Sequence, residues 1–208
     1  MAPYSIYDYL ASILPGATIL AATFYAWYGL PHSEPGGALV VGLLAASFVV
    51  GQLNSAIGSL LARLLLGRPP GRQPSSVLGL SKRFGDSTYR QMLKAVEEKL
   101  DLGGATDDVV FGTAYAQLLG TPHKDMLMTL NEQIAFHRNM MAACAVAIAI
   151  CSIANVTGRH YMSEALWVVV LVIAGLIFAL RTRRFWIQFG VHVLRGAFLL
   201  TAPSQSNT

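Results

Sequence analysis

The residues best placed to do chemistry fall into two groups. Asn131-Glu132-Gln133 and His137-Arg138-Asn139 put an acid, an imidazole and a guanidinium within one short stretch. Acid–base work needs the carboxylate and the imidazole to converge. On a helix, Glu132 and His137 are five residues apart and diverge by roughly 140° at about 100° per residue. Glu132 with Gln133, and His137 with Arg138, better suit a solvated helix shoulder with snorkelling side chains. The functional alternative is a ligand-sensing or gating collar of Glu132, His137 and Arg138, in which Glu132 or Arg138 pairs with Arg63 or with the basic tail.

The second group lies inside an apolar run. Ser47, Gly51, Ser55, Gly58 and Ala62 fall on one helical face, bordered by Gln52, Asn54 and Ser59. Small residues let helix backbones approach closely in lipid, and Ser, Asn and Gln hydrogen-bond across helices. Gly51, Gln52, Asn54, Ser55, Gly58 and Ser59 therefore form either a packing face or the lining of a pore or substrate path.

Other chemistry is sparse. No phosphate-cradling Gly-rich loop ends in Lys-Ser or Lys-Thr, no His-Glu-x-x-His run occurs, and no nucleophile elbow is present. His32, Glu34 and His160 make a weak case for a metal site. Cys144 and Cys151 are seven residues apart on one helical run. A disulfide needs Cα atoms within about 7 Å, so they read as packing residues. The sequence assigns no catalytic, cofactor-binding or metal-ligating residue, and no cofactor.

Four apolar runs must position these groups: about Tyr9 to Leu30, Ala38 to Leu61, Met140 to Val156 and Ala165 to Leu180. The chain is 54% hydrophobic and 12% charged, where a soluble domain carries roughly 25% charge. Lipid is the natural solvent for that excess. Tyr9 and Tyr28 bracket the first run at about 28 Å, close to the hydrocarbon thickness. Pro15-Gly16 either kinks that helix or starts it. No Asp, Glu, Lys or His lies near the middle of any run, which argues against a proton-coupled transporter.

Charge sets an orientation. If all four runs span, two short loops, Pro31–Gly36 and Thr157–Glu164, share the side opposite the termini. Of the fifteen Lys and Arg, only Arg159 lies in those loops. Positively charged loops stay cytoplasmic, so the N-terminus, the middle segment and the C-terminus are expected inside. The net charge of +4 flanks apolar runs rather than forming a basic stripe interleaved with aromatic residues, so nucleic acid is not an expected partner.

Between the second and third runs lies a helical insert. Gly67-Arg68-Pro69-Pro70-Gly71-Arg72-Gln73-Pro74 reads as a linker. Tyr89, Met92, Leu93, Val96 and Leu100 then make one amphipathic face, closed by Gly103-Gly104. Thr106 starts a second pattern with Phe111, Ala114, Tyr115, Leu118 and Leu119. Thr121-Pro122 starts a third. No breaker follows until Thr157-Gly158, so one helix is expected from Pro122 to Val156, about 52 Å long.

After the fourth run, Arg181, Arg184, Gln188, His192 and Arg195 form a polar stripe opposite Trp186, Phe189 and aliphatic residues. This describes an interfacial amphipathic helix in which Arg181, Arg184 and Arg195 meet anionic headgroups and Trp186 and Phe189 enter the acyl chains. Packing on the cytoplasmic helices is the competing reading. Residues 202–208 are polar and expected to be disordered.

Gly51-Gln52-Leu53 to Leu60-Leu61, the Pro-rich linker, Phe111-Gly-Thr-Ala-Tyr115 and Ala135-Phe136-His137-Arg138-Asn139 together resemble a loose group of uncharacterised bacterial inner-membrane proteins with four helices and a helical cytoplasmic insert. The resemblance implies a bacterial inner-membrane location. Some proteins of this general shape accompany bacterial defence systems, where membrane partners impair the host membrane. The resemblance carries no functional residues.

The expectation is an all-α integral membrane protein with four transmembrane helices. It divides into an N-terminal transmembrane hairpin (1–66), a small helical cytoplasmic domain (67–138), a C-terminal transmembrane hairpin (139–181), an amphipathic helix (182–201) and a tail (202–208). The expected function is that of a non-enzymatic homo-oligomer coupling a cytoplasmic signal to the bilayer, as a pore or permeability effector. The rivals are a membrane scaffold that recruits a cytoplasmic protein partner to the apolar faces around Tyr89 and Phe111, and a membrane enzyme or transporter for a lipophilic substrate.

Overall fold

The computed structural model describes residues 6–29, 36–66, 86–158 and 164–201. The proline-rich linker 67–74, Arg159, the tail 202–208, and His32, Glu34 and His160 of the weak metal-site case lie outside them, and so do the expectations placed there. Among the described residues there are six helices and no strand: α1 (Ile6–Tyr28), α2 (Gly37–Leu66), α3 (Asp86–Lys99), α4 (Asp107–Leu118), α5 (Lys124–Val156) and α6 (Glu164–Thr201). α1, α2, α5 and α6 are each long and apolar enough to cross a membrane. The chain is a multi-pass membrane protein by that measure.

The chain forms two compact units. The first comprises residues 1–66 and 132–182, and the second 67–131 and 183–208. The first unit is built inside out relative to a soluble bundle. Most of its buried positions are small or polar, among them Ala11, Ser12, Ser47, Asn54, Ala62, Ala142, Ala143 and Ala147, with Ile19, Ile134 and Met141 the large exceptions. Its large apolar side chains point outward, with Leu53 69% exposed and Leu180 67% exposed, while Asn54 is 1% exposed. Water would penalise such a surface by about 25 cal/mol per Å² of apolar area, whereas lipid tails do not. Small residues inside then permit the close backbone contact that holds helices together in lipid.

α1 and α2 pack through two matching Ser-x-x-x-Gly segments. A Cβ at Gly16 would strike the Ser47 carbonyl, and a Cβ at Gly51 would strike the Ser12 carbonyl. Ser12 thus faces Gly51 and Gly16 faces Ser47, in antiparallel register. Five hydroxyls elsewhere in the bundle bond within their own helix. Thr18, Thr23, Ser59, Ser152 and Thr182 each donate to the carbonyl four residues earlier, which spares a donor in hydrocarbon.

α1 runs unbroken through Pro15, so the proline neither starts the helix nor ends it. It does remove one donor. The helical partner of the Ala11 carbonyl would be the N–H of residue 15, which proline lacks.

The second unit is a conventional apolar core. Leu93 and Val96 of α3, Phe111, Ala114 and Leu118 of α4, and Leu127 of α5 are buried. α3 ends ahead of the expected glycines: Asp101 takes the left-handed position at φ 51°, and the Leu102 N–H bonds back to the Glu97 carbonyl at 3.1 Å. Gly104, at φ 79°, then donates its N–H to Glu97 Oε1 at 2.9 Å. Thr106 precedes α4 in extended geometry. α5 starts at Lys124 rather than Pro122; ahead of it Thr121 Oγ1 accepts from the His123 N–H at 3.3 Å, as a cap does, and donates to the Leu118 carbonyl at 2.7 Å. From there it is continuous to Val156.

Trp186, Phe189, Val193, Leu194 and Ala197 of α6 are also buried in this unit. Phe189 meets Tyr115 with ring centroids 5.4 Å apart, and Gly196 sits against the Leu118 side chain. The apolar face of 182–201 therefore meets protein, not acyl chains. α6 also shows no break near residue 182. The expected membrane helix and tail helix are one helix.

Candidate functional site

The strongest polar feature of the membrane unit is a node where α1, α2 and α5 meet. Asn54 of α2 donates through Nδ2 to the Asn139 carbonyl at 2.7 Å. Asn139 donates through its own Nδ2 to the Ala11 carbonyl at 3.1 Å. This is the carbonyl that Pro15 deprives of its helical donor. A buried polar group left unpaired costs about 1–3 kcal/mol, so the amide restores what the proline removes. Gln52 ties the same level of α2 to α1, its Nε2 donating to Ser12 Oγ at 2.8 Å.

Gly58 lets α5 come close to α2. A Cβ there would lie 3.1 Å from Asn139 Oδ1 and 3.2 Å from the Arg138 carbonyl oxygen. Gly51, Asn54 and Gly58 are buried, Ser55 and Ser59 half-buried, and Ser59 Oγ donates to the Ser55 carbonyl at 3.0 Å. The small polar stripe of α2 is thus occupied by α1 and α5 of the same chain. Asn54 Oδ1 and Asn139 Oδ1 are buried without a donor among the described residues.

The collar residues divide. His137 is buried, with its ring edge-on to Phe136 and tilted against Phe178. Its Nδ1 lies 2.7 Å from the Gln133 carbonyl. A carbonyl can only accept, so Nδ1 carries a proton and donates. No ion pair joins Glu132 to Arg63, Arg138 or Arg181 among the described residues. The expected pairing of the collar is not formed there. Arg138 is half-buried, its Nε buried and without an acceptor, and it feels the positive charge of Arg63 rather than a carboxylate.

Arg181 belongs to the first unit, and Arg184 and Arg195 to the second. All three are exposed. Among the described residues, no group of three or more His, Cys, Asp or Glu could hold a metal ion.

Sequence reasoning placed the α2 stripe but not its partners. Ser12, Pro15 and Gly16 of α1 complete the contact. The signal available for two of them was the Ser-x-x-x-Gly spacing, present both at 12–16 and at 47–51.

No protein-family model matches the chain, and no curated protein or solved structure is significantly similar to it. Residue roles rest on geometry alone.

Proposed function

We propose that the chain is a non-enzymatic membrane protein, at home in a bacterial inner membrane, that couples a helical cytoplasmic unit to the bilayer and acts by self-association as a permeability effector. The observation that carries this reading is the continuity of α5 and α6. Each passes without a break from the membrane unit into the other unit, the boundaries at 131–132 and 182–183 falling inside helices. A helix transmits a twist or tilt along its axis, which a flexible linker does not. Two such connections give an event in the cytoplasmic unit a route to the bundle. The α2 stripe is already covered by α1 and α5, so a pore would be lined by other surfaces or formed between subunits.

Reconstitution into vesicles loaded with a self-quenched dye tests the proposal. The expected result is protein-dependent dye release with cross-linked multimers. Insertion of Gly-Ser-Gly between Asn131 and Glu132 should weaken release while the chain still inserts. A monomeric chain that releases no dye at any protein-to-lipid ratio would sink the effector reading.

A scaffold reading has its own support. Phe111 is buried, so the face expected around it is not free, but Leu199 and Leu200 are exposed neighbours in the second unit that a cytoplasmic protein partner could cover. Capture of one defined partner, lost on Leu199→Glu, together with intact vesicles, would favour it.

A further inference from the structure

Arg138 stands out in the membrane unit. A guanidinium is always charged and offers five donors. Burying its Nε–H without an acceptor is costly, and a second cation acting on it, Arg63, raises that cost. Neither arginine makes a hydrogen bond or ion pair among the described residues.

Depth in the membrane narrows what would pair with them. Asn139, the next residue, hydrogen-bonds to Ala11, two residues from Tyr9 at the start of the span Tyr9–Tyr28. Arg138 to Val156 covers about 27 Å at roughly 1.5 Å per residue, close to the hydrocarbon thickness of about 30 Å. Gly58 of α2 packs at Arg138 and Asn139, and Arg63 follows five residues later, beyond the same boundary. Both cations thus fall at the level where lipid phosphates lie. Glu132 does not reach them, and α2 offers no acid of its own.

We propose that Arg63 and Arg138 form a phosphate-binding site between α2 and α5, occupied by the headgroup of an anionic phospholipid. The chemistry suits the residues. A phosphate accepts charge-assisted hydrogen bonds from guanidinium groups in fork geometry, and it removes the repulsion between the two arginines by lying between them. The site is separate from the exposed arginines of the tail, because it combines a buried donor with a second cation on another helix.

The test uses the full chain in detergent, with dioleoylphosphatidylglycerol, dioleoylphosphatidylcholine and inorganic phosphate as probes. Native mass spectrometry reads the bound lipid and thermal unfolding reads its effect. The expected result is phosphatidylglycerol retained over phosphatidylcholine. Arg63→Gln or Arg138→Gln should weaken retention about fivefold each. Arg63 is exposed, so its variant keeps the fold and leaves the test sound if Arg138→Gln does not fold. Arg138→Lys, which keeps charge but loses the fork, should fall between. Binding of inorganic phosphate that displaces the lipid would uphold the phosphate site and overturn the lipid as its source. An equal loss from Arg184→Gln would reduce the effect to general surface charge and overturn the site. Unchanged retention in both arginine variants would also overturn it.

Discussion

Asn139 donates to the carbonyl of Ala11, the carbonyl in α1 that Pro15 leaves without its helical donor. A backbone defect in one membrane helix is thus repaired by a side chain from another. Inter-helix hydrogen bonds in membranes are worth roughly 0.6 kcal/mol on average and up to about 1.7 kcal/mol. This one belongs at the upper end, because its absence leaves a buried carbonyl with no donor.

The first prediction is a double-mutant cycle. Asn139→Ala should destabilise the chain in detergent by about 1–2 kcal/mol, read by thermal or denaturant unfolding. In the Pro15→Ala background, residue 15 again supplies its own N–H, and the cost of Asn139→Ala should fall. Additive effects would show that the two residues do not compensate each other.

The glycines of α2 should separate sharply. A Cβ at Gly51 would collide with the Ser12 backbone, while Gly42 has nothing within 4 Å. Gly51→Ala should therefore cost about 1–3 kcal/mol as α1 and α2 are forced apart. Gly42→Ala should be neutral or stabilising, since alanine favours the helix by roughly 0.5–1 kcal/mol. Cysteine cross-linking between α1 and α2 would report the hairpin directly. Efficient cross-linking in Gly51→Ala would mean that the contact tolerates a methyl group.

Periodicity carried most of the helical framework. The stretch from Pro122 to Val156 held no breaker, and α5 occupies all but its first two residues. Thr121 both caps and closes the preceding turn, its Oγ1 accepting from the His123 N–H while donating to the Leu118 carbonyl, a double role that residue type leaves open. What lies against a face was harder to read. The Trp186–Phe189 stripe has the spacing of a buried helix face, but lipid and protein satisfy an apolar stripe equally well. The α2 stripe had the same ambiguity between neighbouring helices and a pore. The bond from Asn139 to Ala11 joins residues 128 apart in the chain, and only the missing donor at Pro15 was visible beforehand.

The surroundings of Trp186 can be tested by quenching. Its side chain is 3% exposed, within the core of the second unit. A variant retaining Trp186 alone, with Trp27→Phe and Trp167→Phe, should show blue-shifted emission in detergent, before any anionic lipid is added. Neither aqueous iodide nor brominated acyl chains should quench it strongly. Gly196→Leu, which must displace the Leu118 side chain, should red-shift the emission. Strong quenching by brominated lipid would return the tail to the bilayer interface.

Orientation rests on charge, and it is the prediction on which the cytoplasmic assignment depends. Fourteen of the fifteen Lys and Arg, all but Arg159, lie outside the two short loops between membrane spans. Moving that many cations across the membrane is disfavoured, so these segments should stay inside. In a background with Cys144 and Cys151 replaced by Ala, single cysteines report each side. Cysteine at Ser33 or Ser163 should react with a membrane-impermeant maleimide in intact cells. Cysteine at Ser76 should react only after permeabilisation. Labelling at Ser76 in sealed cells would invert the topology. The second unit, with its Leu199 and Leu200 surface, would then face away from any cytoplasmic partner, and the coupling proposal would lose its signal.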